Sequence, residues 1–449
     1  MNTKSSDSRD PGTGRRSAAP TLVLFTQDLR VHDHPALTAA LARTGTVVPV
    51  FVLDPAVAER SSRNRVAHIN GALASLRAGL RERGGDLVVR RGDTVEEVTA
   101  LAASTGADTV HVTAGVSALA ARRVRRLRAA GLSVQAFPGL TVVPPGEVTP
   151  VSGDHYKVFT PYWRAWEAHT WREPLPAPGR VDLPDGVPPG DLPGDDGRGR
   201  GLLAEHLPEG GEHAARERLR TWVEHGLADY PDRHDDLPGA ATSHLSADLR
   251  LGCLSPLETV LAADGHSGSD EFVRQLAWRD FHHQVTAVFP GMNVRDYRPR
   301  DKEWRHDPDA LTAWKEGRTG VPIVDAGMRQ LLHEGFMHNR ARMITAAFLT
   351  RTLRVHWREG ADHFFEHLLD GDVANNYGNW QWVAGTGNDT RPNRSFNPLR
   401  QARRFDPDGV YVRRYLPELA GLPGTRALTP WREEKAPEGY PPPIADPGH

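Results

Sequence analysis

Short apolar, β-branched runs alternate with stretches of helical periodicity over the first 137 residues. The runs predict strands at Thr21–Phe25, Val47–Leu53, Asp86–Arg90, Thr109–Thr113 and Ser133–Phe137, with helices between them such as Asn64–Arg83 and Ser117–Ala130. This order predicts an α/β domain built on a doubly wound, parallel, five-stranded sheet, which binds ligands at the carboxyl ends of its strands. The first strand runs into residues 26–30 without a glycine-rich turn or a phosphate-loop lysine, so an ordinary NAD or nucleoside-triphosphate site is not expected.

The pattern changes in the second half of the chain. Apolar residues recur there at helical spacing, as in Glu271–Val288, Asp325–Leu332, Asn339–Leu353 and Ala361–Leu369, which predicts an all-α domain. Half of residues 174–201 are Pro or Gly, which is typical of a linker, and we expect it to cross the surface of both domains. The expected organisation is a disordered tail (1–20), the α/β domain (21–147), the linker (148–204), the helical domain (205–435) and a Pro-rich tail (436–449).

Composition and charge narrow the classes of protein to which this chain can belong. The net charge is -2, so the total balance does not indicate nucleic acid, but residues 326–415 hold thirteen Arg against nine acids. The single cysteine, Cys253, excludes an intramolecular disulfide and fits a reducing compartment. Residues 1–20 lack the apolar core of a signal peptide and no run is long enough to span a bilayer, so we expect a soluble, cytoplasmic monomer that requires no protein partner. All eleven tryptophans lie at or after Trp163, which indicates that the two halves do different work.

Two polar segments are candidates for ligand binding. Residues 242–246 combine three hydroxyls with a helix-start pattern that suits a phosphate, and Tyr230 lies twelve residues upstream; a cluster that merely caps a helix is the alternative. Residues 370–382 hold two acids, three Asn and two Trp, a composition that a buried polar ligand would justify because unpartnered polar groups are costly inside a protein. An Asx-rich capping loop is the alternative there, and no metal is expected because neither a His nor a third acid lies at ligand spacing.

Two further segments combine Arg with aromatic or amide side chains. Helical spacing places Asn339 and Met343 on one face with Arg342 beside them, and Trp278 is adjacent to Arg279 on another predicted helix. Arg and aromatic residues around a cavity suit nucleic acid through phosphate contacts and base stacking, and core packing is the alternative for any single Trp.

Taken together, these segments resemble the photolyase/cryptochrome flavoprotein family, specifically the class I bacterial photolyases. The similarity runs from about residue 21 to about 430. It is carried by the segments Asp28–Asp33, Tyr156–Pro161, Thr242–Ser246, Trp278–Phe281, Pro322–Ala326, Met337–Arg340, Asp370–Asp372, Asn379–Trp382 and Phe396–Pro398.

The resemblance implies an FAD held in a U-shape by the helical domain. Phosphates would be held by Tyr230 and by Thr242, Ser243, His244, Leu245 and Ser246. Asp370, Gly371 and Asp372 would line the ribose and isoalloxazine together with Arg279, with Arg342 paired to Asp370, and Asn376 would lie at flavin N5. The protein's share of such a reaction is to place the reactive ring and tune its electronics.

The resemblance also implies DNA containing a cyclobutane pyrimidine dimer as the substrate, flipped into a cavity of the helical domain. Trp278 and Trp382 would wall that cavity, with Gln275, Asn339 and Met343 at the dimer. Arg340, Arg394 and Gln401 would contact DNA. Photoexcited reduced FAD would give an electron to the dimer and recover it after the ring opens, and Trp380, Trp357 and Trp304 match the family's electron-transfer chain.

One residue departs from the pattern. Photolyases of this class usually carry Glu where this chain has Gln275, and Gln is typical of (6-4) photolyases. Those enzymes, however, use two His where this chain has Asn339 and Met343, so repair of cyclobutane dimers is favoured. A cryptochrome-like photoreceptor without repair activity and a non-photochemical flavoprotein are the alternatives.

The α/β domain is expected to hold an antenna chromophore. Folate-using relatives rely in part on an acid after the fourth strand, and residues 114–119 contain none. The resemblance therefore favours 8-hydroxy-5-deazaflavin over a folate, bound near Phe25–Arg30, Arg63–Arg65 and Asp93.

Overall fold

Five strands form one parallel sheet in the N-terminal part of the computed structural model, which describes residues 19–58, 61–194, 199–201, 203–204, 207–239, 241–388 and 396–447. The strands are β1 (Thr21–Leu24), β2 (Val47–Leu53), β3 (Val88–Arg91), β4 (Thr109–Thr113) and β5 (Ser133–Phe137). Their order is β3-β2-β1-β4-β5 and every neighbouring pair is parallel. The predicted doubly wound sheet is confirmed, and its order of connection reverses between β1 and β4, where such sheets bind ligands.

The third strand begins two residues later than predicted. The Asp86 carboxylate accepts a hydrogen bond from the Leu87 backbone N–H at 2.7 Å and pairs with Arg77 at 3.1 Å and with Arg81 at 2.9 Å. These contacts tie residue 86 to the preceding helix, so extended pairing with β2 starts only at Val88.

Helices cover both faces of the sheet: α1 (Pro35–Thr44), α2 (Pro55–Ala58), α3 (Arg63–Arg81), α4 (Thr94–Thr105) and α5 (Ala118–Ala129). Alternate strand residues point to opposite faces. Leu22 and Leu24 therefore pack in the cluster that includes Val98 of α4 and Leu127 of α5, whereas Val23 packs in the larger cluster that includes the helical domain. The central strands β1, β2 and β4 are thus buried on both sides.

After β5, the described residues form helices and no further strand. The α-helices are α6 (Phe159–Glu167), α7 (Glu212–His225), α8 (Tyr230–Arg233), α9 (Ser246–Leu251), α10 (Pro256–Ala263), α11 (Ser269–Val288), α12 (Pro308–Lys315), α13 (Pro322–Glu334), α14 (Asn339–Ala347), α15 (Trp357–His367), α16 (Gly378–Ala384), α17 (Pro398–Phe405) and α18 (Val410–Tyr415). Short 3₁₀ turns lie at Leu227–Asp229, Pro417–Leu419, Gly424–Leu428 and Pro430–Arg432. This confirms the predicted all-helical second part.

Two π-helical turns, Phe348–Thr352 and Val373–Tyr377, interrupt the regular helices. The first forms the C-terminal part of the stretch Asn339–Leu353, which the periodicity predicted as one helix. The second opens α16, where the Asp372 carboxylate accepts the Asn375 backbone N–H at 2.8 Å. Such turns are frequent at functional sites because the extra residue re-aims side chains.

The segment predicted as a linker contains α6 and then runs along the α/β domain. Its backbone pairs with that domain at Val181 N to Arg83 O (2.8 Å), at Val47 N to Asp182 O (2.9 Å) and at Val89 N to Pro189 O (2.7 Å). These bonds lay the Pro- and Gly-rich chain along the sheet edge.

Buried polar contacts join the two domains. The Glu212 carboxylate of α7 accepts the Val31 backbone N–H at 2.8 Å and the His32 backbone N–H at 3.0 Å. The Asp280 carboxylate of α11 accepts the Val142 and Val143 backbone N–H groups at 2.8 and 3.1 Å. Helix α11, which carries several candidate site residues, is therefore anchored to the α/β domain.

Candidate active site

A cavity of about 560 Å³ opens into the helical domain between α8, α9, α11 and α14–α16. Its volume lies in the range of small-molecule and cofactor sites. The structure brings most of the predicted residues to its wall: Tyr230, Thr242, Ser243, His244, Leu245, Ser246, Gln275, Trp278, Arg279, Asn339, Arg340, Arg342, Met343, Asp370, Gly371, Asp372, Asn376, Trp380 and Trp382. Segments more than 100 residues apart in the chain thus form one site.

The hydroxyl-rich segment 242–246 does not act as a helix cap. Helix α9 begins at Ser246, its cap position is Leu245, and no side chain bonds the cap. His244 adopts a left-handed backbone (φ 53°), which turns the chain at the cavity wall. The Thr242 hydroxyl is enclosed without a hydrogen-bond partner. Enclosed hydroxyls normally have partners, so this group fits a ligand oxygen.

Arg342 and Asp370 form the ion pair that the resemblance implied. Arg342 donates from Nη1 and Nη2 to the two Asp370 oxygens at 3.1 and 2.8 Å, and from Nε to the Met337 carbonyl at 2.7 Å. The two-pronged geometry holds a fixed positive and a fixed negative group at the cavity wall.

Asp372 is a half-buried carboxylate two residues further on. Burial by itself raises its pKa, but the charges of His283 and Arg279 and the hydrogen bonds from Asn375 lower the pKa below its usual value. Asp372 is therefore ionised at neutral pH. Nearby, the buried Asn376 donates from Nδ2 to the Ala361 carbonyl at 2.8 Å, which fixes its carboxamide at the wall.

The mouth of the cavity combines amide, thioether and indole groups. Gln275 and Asn339 are exposed there, and Trp278 and Trp382 are half-buried. The Asn339 Nδ2 lies 4.0 Å from the Met343 sulfur. Two indoles and a set of uncharged polar groups are suited to stacking on and hydrogen bonding to a base.

The predicted DNA contacts have different surroundings. Arg340 lines the cavity, but its guanidinium pairs with the Asp235 carboxylate at 2.5 Å and lies over the Phe405 ring at 4.4 Å, so it is not a free surface cation. Gln401 lies on α17 away from the cavity wall, and its amide oxygen is enclosed without a partner. Arg394 lies outside the described residues.

The three tryptophans of the implied electron-transfer chain run outward from the cavity. Trp380 is buried, and its ring edge packs against Gly360, three residues after Trp357 on α15. Trp357 is fully buried and donates from Nε1 to the Asp296 carboxylate at 2.8 Å. The His356 ring lies between Trp357 and the half-buried Trp304. Its centroid is 5.6 Å from that of Trp357 and 5.0 Å from that of Trp304.

Arg250 and His282 are among the cavity residues that sequence reasoning missed. Arg250 lies four residues after Ser246 on α9 and donates to the Gly371 carbonyl at 3.2 Å. His282 lies four residues after Trp278 on α11 and is buried at the cavity wall. Helical spacing from a residue already singled out would have identified both.

The residues expected to bind the antenna are engaged in structural contacts. Arg65 donates from Nε to the Leu368 carbonyl at 3.0 Å and lies over the Phe365 ring, so it also makes a contact between the two domains. Asp93 caps α4 and pairs with Arg126 at 2.7 Å. Asp28 is buried against His34, 3.1 Å away.

The described ranges contain neither a metal-binding cluster nor a membrane-spanning helix. No group of three or more His, Cys, Asp or Glu side chains there is arranged to hold a metal ion. No helix in the same ranges has the length and apolar character needed to cross a membrane.

Family models match both parts of the chain. A model described as DNA photolyase matches residues 21–179, and one described as the FAD binding domain of DNA photolyase matches residues 272–449. The chain belongs to the DNA photolyase family. The second match covers α11 to α18, and so most of the cavity wall of this photolyase-family chain.

Full-length relatives support the assignment. A protein named deoxyribodipyrimidine photo-lyase from Streptomyces griseus is 52% identical over 95% of this chain and 96% of its own length. A cryptochrome DASH from Gloeobacter violaceus is 36% identical over 93% of this chain and 89% of its own. The crystal structure of a class III photolyase from Agrobacterium tumefaciens superposes with a TM-score of 0.88 at 34% identity, covering 95% of this chain and 94% of that one.

Proposed function

We propose that this photolyase-family protein repairs cyclobutane pyrimidine dimers in DNA by light-driven electron transfer from FAD, as a deoxyribodipyrimidine photo-lyase. The observation that carries the proposal is a single cavity with the Arg342–Asp370 pair in its wall and two tryptophans, Trp278 and Trp382, at its mouth. The 52% identity to a protein of that name supports it.

The cavity residues fit FAD. Three guanidinium groups, of Arg250, Arg279 and Arg342, lie at the wall and offset the negative charge of a diphosphate. The unpartnered Thr242 hydroxyl supplies a hydrogen bond in the same segment. Tyr230 lies at the wall beside them, and burial raises the pKa of its phenol to about 12, so it is a neutral donor.

When bound and reduced, FAD supplies the light-driven electron that opens the cyclobutane ring and takes it back afterwards. The protein orients the cofactor through the Arg342–Asp370 pair, Asp372 and Asn376, and keeps water from the wall by packing Trp380 and Phe364 behind it. Trp380, Trp357 and Trp304 would carry electrons inward to restore the reduced cofactor.

The substrate residues lie at the mouth. Trp278 and Trp382 would stack on the two extruded pyrimidines, and Gln275 and Asn339 would donate hydrogen bonds to their carbonyl oxygens. Arg340, Arg394 and Gln401 would hold the flanking DNA backbone. The Arg340 guanidinium would bind a phosphate either in place of the Asp235 carboxylate or together with it.

The chemistry of the mouth favours cyclobutane dimers over (6-4) lesions. Repair of a (6-4) lesion in this family uses two histidines at the positions of Asn339 and Met343, and neither residue can donate a proton as imidazolium does. We assign the protein to class I on the sequence motifs that carry the family resemblance. We further propose that it acts in the cytoplasm as a monomer that needs no protein partner.

The α/β domain would bind an antenna chromophore at the carboxyl edge of its sheet. Arg123 on α5 is partly buried there; burial lowers its pKa, and the charges of Asp54, Asp93 and Asp28 raise it. A partly buried cation at this edge suits the ionisable hydroxyl of 8-hydroxy-5-deazaflavin, which we favour over a folate. Mass spectrometry of chromophores released from purified protein distinguishes the two.

The test of function is light-dependent repair of a defined thymine cyclobutane dimer by chemically reduced protein, with a dark control and a (6-4) oligonucleotide in parallel. Restored thymines in the illuminated dimer sample alone are expected. Absence of repair by protein with fully reduced, bound FAD would leave a cryptochrome-like photoreceptor as the better assignment.

A further inference from the structure

His282 is a buried histidine with two unused ring nitrogens. It is 2% exposed, and both Nδ1 and Nε2 are enclosed; neither makes a well-formed hydrogen bond, and the Asn379 side chain is the polar group near enough to raise the pKa of the ring. Enclosing a polar side chain without a partner costs free energy, so two such nitrogens on one ring at a cavity wall need a partner, such as an ordered water or a ligand.

The imidazole lies at the deep end of the cavity. It is one helical turn from Trp278 and two turns from Gln275 on α11, and its ring centroid is 6.0 Å from that of Trp278. Gln275 at the mouth is exposed, whereas His282 is enclosed. Gly378 makes room for the ring: a Cβ at this position would come within 2.5 Å of His282 Nδ1.

The groups around His282 keep the ring neutral. Burial lowers its pKa to about 4; the nearby Asp372 carboxylate and the Asn379 side chain raise the pKa and His283 lowers it, without cancelling the effect of burial. A neutral imidazole presents one N–H donor and one acceptor nitrogen. It therefore matches a planar heterocycle that carries both carbonyl oxygens and an N–H group.

We propose that His282 is a positioning residue that hydrogen-bonds the isoalloxazine ring of FAD beside Asp372 and Asn376. This inference rests on the proposed function for the presence of FAD. It favours the cofactor over DNA because His282 is enclosed, whereas Gln275 and Asn339 at the mouth are exposed.

The experiment compares two substitutions of His282 with a matched control. His282→Phe keeps a planar ring and removes both nitrogens, and His282→Gln restores a donor and an acceptor. His363→Phe is the control, because His363 is also largely buried, has a pKa lowered to about 3 by burial, and lies outside the cavity wall. The FAD dissociation constant and the visible absorption bands of the bound flavin are measured for each protein.

His282→Phe is expected to raise the FAD dissociation constant about tenfold, the equivalent of one hydrogen bond, and to shift the flavin bands. His282→Gln is expected to recover most of both properties, and the control to match wild type. Wild-type constants and spectra in His282→Phe would overturn the inference, as would an equal loss in the control. Weaker binding of dimer-containing DNA with unchanged flavin properties would also overturn it and assign His282 to the substrate. Wild-type protein without FAD would instead contradict the proposed function itself.

Discussion

The Trp278 indole and the Phe159 ring lie face to face, with centroids 3.7 Å apart and planes 8° from parallel. Phe159 belongs to α6, a helix inside the segment predicted as a linker, so a residue outside the helical domain orients a wall of the cavity. A stacking platform is most effective when its own plane is held fixed before the ligand arrives.

Removal of this support should weaken substrate binding. Phe159→Leu keeps an apolar side chain but loses the stack, which contributes about 0.5–1.5 kcal/mol beyond buried area. Affinity for dimer-containing DNA in the dark should fall about two- to tenfold, measured by fluorescence anisotropy. Phe289→Leu, a half-buried aromatic remote from the cavity wall, is the control. Undiminished affinity in Phe159→Leu would show that Trp278 needs no external support.

The Arg342–Asp370 pair should determine how tightly FAD is held. Asp370→Asn leaves the Arg342 cation without its carboxylate and should raise the FAD dissociation constant about ten- to hundredfold, the range for a charge-assisted hydrogen bond. Glu418→Gln breaks a comparable pair with Arg329 (2.8 Å) elsewhere on the surface and should leave FAD binding unchanged. Equal losses in both variants would point to general destabilisation.

Photoreduction and repair should be separable at Trp380. Trp380→Phe should remove most of the light-driven reduction of oxidised FAD and spare repair by chemically reduced enzyme, since repair needs no electron from this chain. Flash absorption spectroscopy measures the first and dimer repair the second. Trp314→Phe is the discriminating control, because the Trp314 ring also contacts Trp380, at 6.0 Å, without belonging to the implied chain. A comparable loss of photoreduction there would move the electron route to Trp314.

Stability should fall on acidification below pH 6.5. Burial lowers the pKa of His282, His338 and His363 to about 4, about 4 and about 3, so between about pH 4 and 6.5 the unfolded chain binds more protons than the native state. Each group then adds about 1.4 kcal/mol per pH unit to the slope of the unfolding free energy. Asp280, with a pKa raised to about 6 by burial, has the opposite slope between about pH 4 and 6.

Urea unfolding at several pH values tests this linkage. Compared with the wild type, His363→Leu should reduce the pH dependence of the unfolding free energy by about 1.4 kcal/mol per pH unit, the contribution of one titrating group. His225→Gln, at an exposed site, should not change it. Identical slopes for wild type and His363→Leu would mean that His363 titrates alike in both states.

Gln275→Glu tests the departure from the family's usual residue. The side chain is exposed at the mouth, so a carboxylate can be accommodated without a large desolvation cost. Dimer splitting by reduced enzyme should be preserved or improved, measured as repaired dimers per absorbed photon. A severe loss would indicate a cavity arranged around the amide.

The strands could be predicted because the central strands are buried on both faces and the β-branched runs are continuous. The bounds of β2, β4 and β5 match the prediction, whereas β3 is displaced because the side-chain contacts of Asp86 hold it in the preceding turn. The π-helical turns were not predictable, since the turn at Phe348–Thr352 is only five residues long and shifts the phase of the apolar pattern over too short a stretch to be recognised.

The candidate site was predictable where residues adjacent in the chain act together, as at Asp370–Asp372. It was not predictable where a contact depends on the tertiary fold. The Asp235 partner of Arg340 is 105 residues away, and the carbonyl groups that engage Arg65 are about 300 residues away. Neither leaves a local pattern in the sequence.

The anchoring of α11 by Asp280 has a consequence for the architecture as a whole. Asp280 accepts hydrogen bonds from the Val142 and Val143 amides and the Trp166 indole N–H, and Glu212 accepts one from Val31, so contacts outside the Pro-rich stretch also join the halves. A nick in the proline-rich stretch should therefore leave a stable two-chain complex, and the separately produced fragments should reassemble by complementation. An antenna chromophore bound by the first fragment and FAD bound by the second would then keep a fixed mutual orientation even after cleavage.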